Sequence, residues 1–126
     1  MAQNITMTSG DMVAAGRKQI EEIAAGDAIA LVNDPNVVLV DIRDPRELER
    51  DGRVPGAFRM PRGMLEFWID PESTYFKPVF GEDKKFVFFC AGGLRSALAA
   101  KTAQDMGLEP VAHVLGGFRG WKEAGG

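Results

Sequence analysis

The chain has 126 residues, a formal net charge of −3 and 45% hydrophobic residues, which is typical of one globular domain with a buried core. This acidic balance gives no electrostatic reason to expect nucleic-acid binding, and no apolar run approaches the roughly 20 residues of a membrane span. A single cysteine excludes an intramolecular disulfide and a CxxC metal site, and a lone thiol suits a reducing compartment. Because the first residues do not resemble a signal peptide, we expect a cytoplasmic location without membrane attachment.

Helix and strand patterns alternate along the chain. Helical patterns lie at about 10–17, 28–32, 45–51, 96–106 and 118–123, and strand patterns lie at 19–23, 37–41, 58–60, 85–89 and 111–115. Short connections between alternating strands and helices indicate a parallel α/β sheet. The run 37–41 is apolar and β-branched without polar alternation, which predicts a central strand buried on both faces. We assign residues 1–18 to an N-terminal extension with a short helix and residues 19–126 to one domain.

The segment 63–80 follows no clean period and is interrupted by Pro71 and Pro78. We predict a short helix and a loop here, which cover another part of the fold. Phe67 and Trp68 are candidates for the rim of a pocket. Aromatic residues in such a segment more commonly belong to the core, so both interpretations stay open.

The only cysteine lies between a predicted strand and a predicted helix. Cys90 follows the apolar run 86–89, and Gly92 and Gly93 precede the helical pattern. A buried strand that enters a tight glycine loop and then a helix directs backbone N–H groups at one point. Such amides and the helix N-terminus favour the thiolate form of a cysteine, which is the nucleophilic form. We therefore predict that Cys90 is a catalytic nucleophile in an anion-binding loop.

The residues that follow Cys90 are predicted to bind an anionic substrate or the anion that forms on the Cys90 sulfur. Arg95 supplies a permanent charge and two parallel donors that suit an oxyanion, or else it braces the loop. The Ser96 hydroxyl caps the helix or hydrogen-bonds to the thiolate. The predicted substrate-binding residues are Ala91, Gly92, Gly93, Leu94, Arg95 and Ser96.

Two charged residues lie where the strand 37–41 ends, at the edge of the sheet where α/β proteins place their sites. We interpret Asp41 and Arg43 as an ion pair that supports the Cys90 loop, because buried charges usually pair. His113 lies within the apolar run 111–115, and we interpret it as a hydrogen-bonded core residue. A Cys–His dyad is the alternative for this histidine.

Two segments resemble motifs of the rhodanese-like sulfurtransferase family. Residues 90–96 match the active-site loop of that family, which is Cys, four residues, Arg, and then Ser or Thr. Asp41, Arg43 and Glu47 match its Asp-x-Arg-x-x-x-Glu element. Each motif alone is weak evidence, and their order and spacing strengthen it.

Two further segments extend the resemblance to about residues 19–124. Residues 52–57 resemble the family's Gly-His-Ile-Pro-Gly-Ala turn, with Arg53 in the place of its histidine. Residues 114–121 resemble its closing segment, in which a glycine pair is followed by tryptophan. The resemblance therefore covers nearly the whole predicted domain.

The resemblance implies a three-layer α/β/α fold with a mostly parallel five-stranded sheet, and it implies that Cys90 carries sulfur. A sulfane sulfur would pass from a donor such as thiosulfate, through a Cys90 persulfide, to cyanide or a thiol. The expected partners are a small anionic sulfur donor and a thiol acceptor, which can itself be a protein. We expect no cofactor, metal, nucleic acid or membrane partner.

Two other functions stay open. A phosphatase or an arsenate-reductase-type enzyme uses a similar loop, but the related phosphatases have one residue more than the six from Cys90 to Arg95. Ester hydrolysis also needs a positioned acid for its leaving group, and the loop contains no acidic residue. A non-catalytic binding module is the other alternative, against which the intact Cys90 and Arg95 argue.

Overall fold

The computed structural model describes residues 2–126, in which helices and strands alternate. In chain order the elements are α1 (Ser9–Arg17), β1 (Glu21–Ile23), α2 (Ala25–Ile29), β2 (Val37–Asp41), α3 (Pro45–Asp51), β3 (Phe58–Arg59), α4 (Leu65–Ile69), β4 (Lys85–Phe89), α5 (Leu94–Asp105), β5 (Val111–Val114) and α6 (Gly117–Glu123). Two 3-10 turns, Arg62–Met64 and Pro78–Gly81, lie before and after α4. Within the described residues, every helix is too short or too polar to cross a membrane.

The five strands form one parallel sheet in the order β1-β5-β4-β2-β3. This confirms the predicted parallel α/β architecture, with β4 at its centre. Phe89, the last residue of β4, pairs with Asp41, the last residue of β2. The loop that follows β4 therefore emerges at the middle of the carboxyl edge, where open α/β sheets bind their ligands.

Side chains of β4 alternate between two hydrophobic cores, one on each face of the sheet. Phe86 and Phe88 pack in the core that includes the alanines of α5. Val87 and Phe89 pack in the opposite core, where Trp121 of α6 stacks on the Phe89 ring. Because β4 is buried on both faces from Phe86 to Phe89, this part of its sequence is continuously apolar. Helices α1, α4 and α5 lie together on one face and α2 and α6 lie together on the other, which gives the expected three layers.

Helix α3 begins with Asp44 as the N-cap and Pro45 in the first turn. The Asp44 carboxylate accepts hydrogen bonds from the backbone N–H groups of Arg46 and Glu47, at 2.8 and 3.2 Å. In return, the Glu47 carboxylate accepts from the Asp44 N–H at 3.0 Å, which completes a capping box. The capping box fixes where the Glu47 side chain lies.

Two regions complete the fold. A short helix within the segment 63–80 is confirmed by α4, which buries Leu65 and Ile69. Strand β1 begins two residues later than predicted because Gln19 lies in the turn that closes α1. Helix α1 packs on α5, and the boundary at residue 18 stays a prediction.

Candidate active site

Cys90 lies directly after β4, and α5 begins at Leu94. The connecting loop is tight because Gly93, the N-cap of α5, takes a φ of +103°, a left-handed conformation that glycine adopts without steric cost. The Cys90 side chain is only 1% exposed. The sequence-predicted strand, loop and helix are therefore all present, with the thiol beneath the loop.

The Cys90 sulfur accepts backbone hydrogen bonds from the loop and from the start of α5. The Gly93 N–H lies 3.1 Å from Sγ and the Ser96 N–H lies 3.4 Å from it. Both donors belong to the first turn of a 12-residue helix or its cap, where N–H groups lack helical partners and the helix dipole is positive. This environment stabilises a negative charge on sulfur.

Arg95 forms a two-pronged ion pair with Glu47 at the start of α3. Its Nη1 and Nη2 each lie 2.8 Å from a carboxylate oxygen of Glu47. The hydrogen bonds from Arg95 lower the pKa of Glu47 to about 2, and the Asp44 N–H contributes to the same shift. The pKa of Arg95 is raised by the same pair. Because the fork of Arg95 is occupied, this geometry fits the bracing role better than direct oxyanion binding.

Asp41 and Arg43 form a buried ion pair next to the loop. Arg43 Nε lies 3.0 Å from Asp41 Oδ1, and Arg43 Nη2 lies 2.8 Å from Asp41 Oδ2. The same Nη2 donates to the Gly52 carbonyl at 3.0 Å, and the guanidinium lies 4.1 Å from the Phe118 ring centre. Arg43 thus connects β2, the end of α3 and α6, which is consistent with the predicted supporting pair.

The start of α6 holds the Cys90 loop by two backbone hydrogen bonds. The Phe118 N–H donates to the Cys90 carbonyl at 2.7 Å, and the Arg119 N–H donates to the Ala91 carbonyl at 3.0 Å. Gly117 has a φ of +58°, and a β-carbon there would lie 2.3 Å from the Cys90 carbonyl oxygen. Gly117, the second glycine of the closing motif, is therefore required for this close approach.

A chain of hydrogen bonds runs from Cys90 to the surface through a buried histidine. Cys90 Sγ lies 3.6 Å from Ser96 Oγ, which lies 2.9 Å from His113 Nδ1. His113 Nε2 lies 2.8 Å from Glu22 Oε2, and Arg17 Nε lies 2.7 Å from the same oxygen. The hydrogen bond from Arg17 lowers the pKa of Glu22. His113 is 1% exposed and fully hydrogen-bonded, and it meets Cys90 through Ser96 rather than as a direct dyad.

A cavity of about 380 Å³ opens beside the loop. Its lining residues are Arg43, Asp51, Ala91, Phe118, Arg119, Lys122 and Glu123. Arg43 Nη1 is buried there without a hydrogen-bond partner among the described residues. Arg119 Nη1 reaches the loop, because it would lie 3.6 Å from a β-carbon on Gly92. The cavity therefore presents the Arg119 guanidinium next to the cysteine loop, while Arg43 is buried in its wall.

The two aromatic candidates for a pocket rim lie on α4. The Phe67 side chain is exposed, and Trp68 packs edge-on against Phe58 with Lys77 4.8 Å from its ring centre. These contacts place Trp68 at the border of the core that includes Cys90. The role of Phe67 and Trp68 at the site stays a prediction.

Three groups of this site were missed by sequence reasoning. Glu47 was part of a recognised motif, but its pairing with Arg95 spans 48 residues. Glu22 and Arg17 belong to β1 and α1, far from the motifs. The register that places Glu22 opposite His113 could be anticipated only once β1 was known to pair with β5.

Comparisons with known proteins agree with this fold. The model of the rhodanese-like domain family matches residues 24–124. The chain belongs to this family. Membership of the family supports an enzyme of the sulfurtransferase type. A Rhodopseudomonas palustris protein of unknown function, described as a possible tyrosine phosphatase, is 63% identical to this chain. Its structure superposes with a TM-score of 0.97, and the match covers 100% of this chain and 97% of the Rhodopseudomonas palustris chain.

Two curated proteins show more distant similarity. The thiosulfate:glutathione sulfurtransferase of Saccharomyces cerevisiae is 33% identical over 99 residues, which are 75% of this chain and 70% of the yeast protein. The mouse thiosulfate sulfurtransferase/rhodanese-like domain-containing protein 3 is 28% identical over 97 residues, 73% of this chain. The matched region spans 62% of the mouse protein's length.

Replacing Glu47 with glutamine is expected to lower the stability of the fold at neutral pH, and this loss is expected to shrink on acidification. Because the pKa of Glu47 is lowered to about 2, its ion pair stabilises the fold above the ordinary carboxyl value and is lost as pH falls from about 4.5 towards 2. The difference in melting temperature between wild type and Glu47→Gln should therefore be largest near neutral pH and shrink over that window. Thermal unfolding at a series of pH values measures it, and a difference that grows on acidification contradicts the pairing.

Proposed function

We propose that the chain is a sulfurtransferase that carries a sulfane sulfur on Cys90. The Cys90 thiolate attacks the outer sulfur of a donor such as thiosulfate, so that a new S–S bond forms and sulfite leaves with the electron pair of the broken S–S bond. A thiolate or cyanide then attacks the terminal sulfur of the persulfide, and Cys90 leaves as the thiolate. The cycle balances without a cofactor or an external oxidant.

The observation that carries this proposal is the set of donors on the Cys90 sulfur. The N–H groups of Gly93 and Ser96, at 3.1 and 3.4 Å, stabilise the thiolate before attack and the returning thiolate after transfer. The loop amides from Ala91 to Arg95 are the groups that would hold the terminal sulfur anion. Sulfite and thiolate are both good leaving groups, so the absence of an acidic residue in this loop is no obstacle.

We assign the binding site for the anionic end of the donor to the cavity of about 380 Å³ beside the loop. The Arg95 fork is occupied by Glu47, whereas Arg119 lies against Gly92 and lines the cavity. Guanidinium groups bind sulfonate and carboxylate oxygens well because they are planar and always charged. A small anionic donor could therefore approach Cys90 from this side.

A low-molecular-weight thiol is the proposed acceptor. The yeast relative is named as a thiosulfate:glutathione sulfurtransferase, and we extend that acceptor class to this chain as a proposal. Each cycle ends with Cys90 as a free thiolate, which has to remain reduced. A reducing compartment such as the cytoplasm meets this requirement.

The proposal is tested by steady-state sulfur transfer from thiosulfate to cyanide and to glutathione. Wild type is expected to show turnover with ping-pong kinetics, and Cys90→Ser, a near-isosteric change in a buried site, is expected to fall to background. Circular dichroism of Cys90→Ser controls for folding. Turnover that survives in Cys90→Ser rules out the proposed intermediate.

A phosphatase is the second candidate, because the possible tyrosine phosphatase from Rhodopseudomonas palustris is 63% identical. A phosphate monoester needs both a free arginine fork and an acid for its leaving group. In this chain the Arg95 fork is held by Glu47. Hydrolysis of p-nitrophenyl phosphate should therefore be slower than sulfur transfer, and the reverse ranking would favour the phosphatase. A protein inactive with both substrates would favour a binding module.

A further inference from the structure

The proton positions along the chain from Cys90 to Glu22 follow from its chemistry. Glu22 is a carboxylate held by Arg17, so it accepts hydrogen bonds and His113 Nε2 must carry the hydrogen. In the neutral imidazole, Nδ1 is then the acceptor, and the Ser96 hydroxyl donates to it over 2.9 Å. The remaining lone pair of Ser96 Oγ faces the Cys90 thiol at 3.6 Å. The two hydrogen bonds between Cys90 and His113 therefore both point from the thiol towards the imidazole.

We propose that His113 is the proton acceptor for the Cys90 thiol, acting through the Ser96 hydroxyl, with Glu22 and Arg17 as positioning residues. This assignment rests on the proposed function only in treating Cys90 as the reactive thiol. The thiol proton passes to Ser96 Oγ while the hydroxyl proton passes to His113 Nδ1. The products are a thiolate, which the reoriented Ser96 hydroxyl can hydrogen-bond, and an imidazolium, which Glu22 stabilises. No charge is created overall, and no further reagent is needed.

The charges around both ends favour this transfer. His113 faces Glu22 from β1, Ser96 from α5 and the uncharged Phe88 of β4, to which it is paired in the sheet. Arg17 of α1 lies beyond Glu22 and lines a cavity of about 130 Å³ next to the imidazole. At the other end, Arg95 is the neighbouring cation of Cys90, and its charge is shared with Glu47.

The geometry separates this role from simple packing. A buried histidine that only fills space needs partners for its two nitrogens, and any polar groups would serve. Here one partner contacts the Cys90 sulfur, and the other is a carboxylate oriented by its own arginine. An acid–base group whose orientation is fixed by a carboxylate is the arrangement that activates nucleophiles in other hydrolase and transferase sites.

His113→Asn tests the proposal, because asparagine can accept the Ser96 hydrogen bond but cannot take a proton. The readout is the rate of Cys90 alkylation by iodoacetamide at pH 6.5 and at pH 9.5. An ordinary cysteine thiol is about 1% ionised at the lower pH and about 90% at the higher one. We expect His113→Asn to react at least about tenfold more slowly than wild type at pH 6.5 and within about twofold of it at pH 9.5.

Two glutamates on β1 give a matched pair of variants that avoids a buried substitution. Glu22→Gln removes the carboxylate that faces His113, whereas Glu21→Gln removes the adjacent carboxylate, which pairs with Lys85. We expect slower alkylation at pH 6.5, by about threefold or more, only in Glu22→Gln. If His113→Asn does not fold, this pair of variants decides the question.

Two outcomes overturn the proposal. Alkylation of His113→Asn or Glu22→Gln that is as fast as wild type at pH 6.5 shows that the imidazole does not assist ionisation. Equal slowing at both pH values shows that the substitution only distorts the loop. Because alkylation needs no sulfur donor, these results are independent of whether thiosulfate is turned over, and a failed sulfurtransferase assay leaves them interpretable.

Discussion

Asp41→Asn is expected to lower the free energy of unfolding by about 3 kcal/mol or more, because it leaves the Arg43 guanidinium without its counter-charge in the core. Both side chains of this pair are at most 1% exposed, so water cannot replace the lost carboxylate. Such a loss is a large share of the roughly 5–15 kcal/mol that stabilises a domain. Urea denaturation measures it, and a loss below about 1 kcal/mol would contradict the buried pairing.

Two further variants separate the buried charge from other causes. Glu66→Gln breaks the exposed pair with Arg62 and should cost about 0.5 kcal/mol or less. The double variant Asp41→Asn with Arg43→Met removes the stranded charge itself, so it should be more stable than Asp41→Asn alone. A double variant that is no more stable than Asp41→Asn alone would argue against the stranded charge as the cause.

Gly117→Ala is expected to lower the unfolding free energy by about 3 kcal/mol and to reduce sulfur transfer at least about a hundredfold. The added β-carbon would lie 2.3 Å from the Cys90 carbonyl oxygen and 2.8 Å from the Ala91 carbonyl carbon. These are backbone atoms that cannot rotate away, so α6 or the Cys90 loop has to move. Either movement breaks the hydrogen bonds by which Phe118 and Arg119 hold the loop.

Gly56→Ala is the matched control for this substitution. Gly56 also has a positive φ, +83°, but a β-carbon there meets nothing within 4 Å. The control therefore carries the backbone strain without the collision, which should cost about 1 kcal/mol and leave activity intact. If both variants lose stability and activity equally, the close approach of α6 to the Cys90 loop is not what the glycine protects.

Much of the fold could be predicted from local patterns. Three features depend only on residues that are close together in the sequence. They are the apolar run of β4, the glycine turn after Cys90 and the Asp44 cap of α3. Short-range rules of periodicity and capping describe such features well. The same applies to the position of Cys90, because a strand and a helix on either side of it are enough to define the loop.

The partners of the charged side chains could not be predicted in this way. The sequence predicts that Arg95 carries two donors near the loop, but the carboxylate that occupies them lies on another helix 48 residues away. His113 is predicted to be buried and satisfied, which its two hydrogen bonds confirm. One of these hydrogen bonds connects His113 to Cys90 through Ser96. This connection depends on how α5 is rotated about its axis over the sheet, which a local sequence pattern does not predict.

The most direct test of the sulfurtransferase proposal is the intact mass of the protein after treatment with thiosulfate. Wild type should gain about 32 Da, the mass of one sulfur atom, and lose it again on addition of cyanide. Cys90→Ala should gain nothing under the same conditions. A wild-type protein that is folded, has a reduced Cys90 and gains no mass with thiosulfate or with a persulfide donor would contradict the proposal that Cys90 carries sulfur.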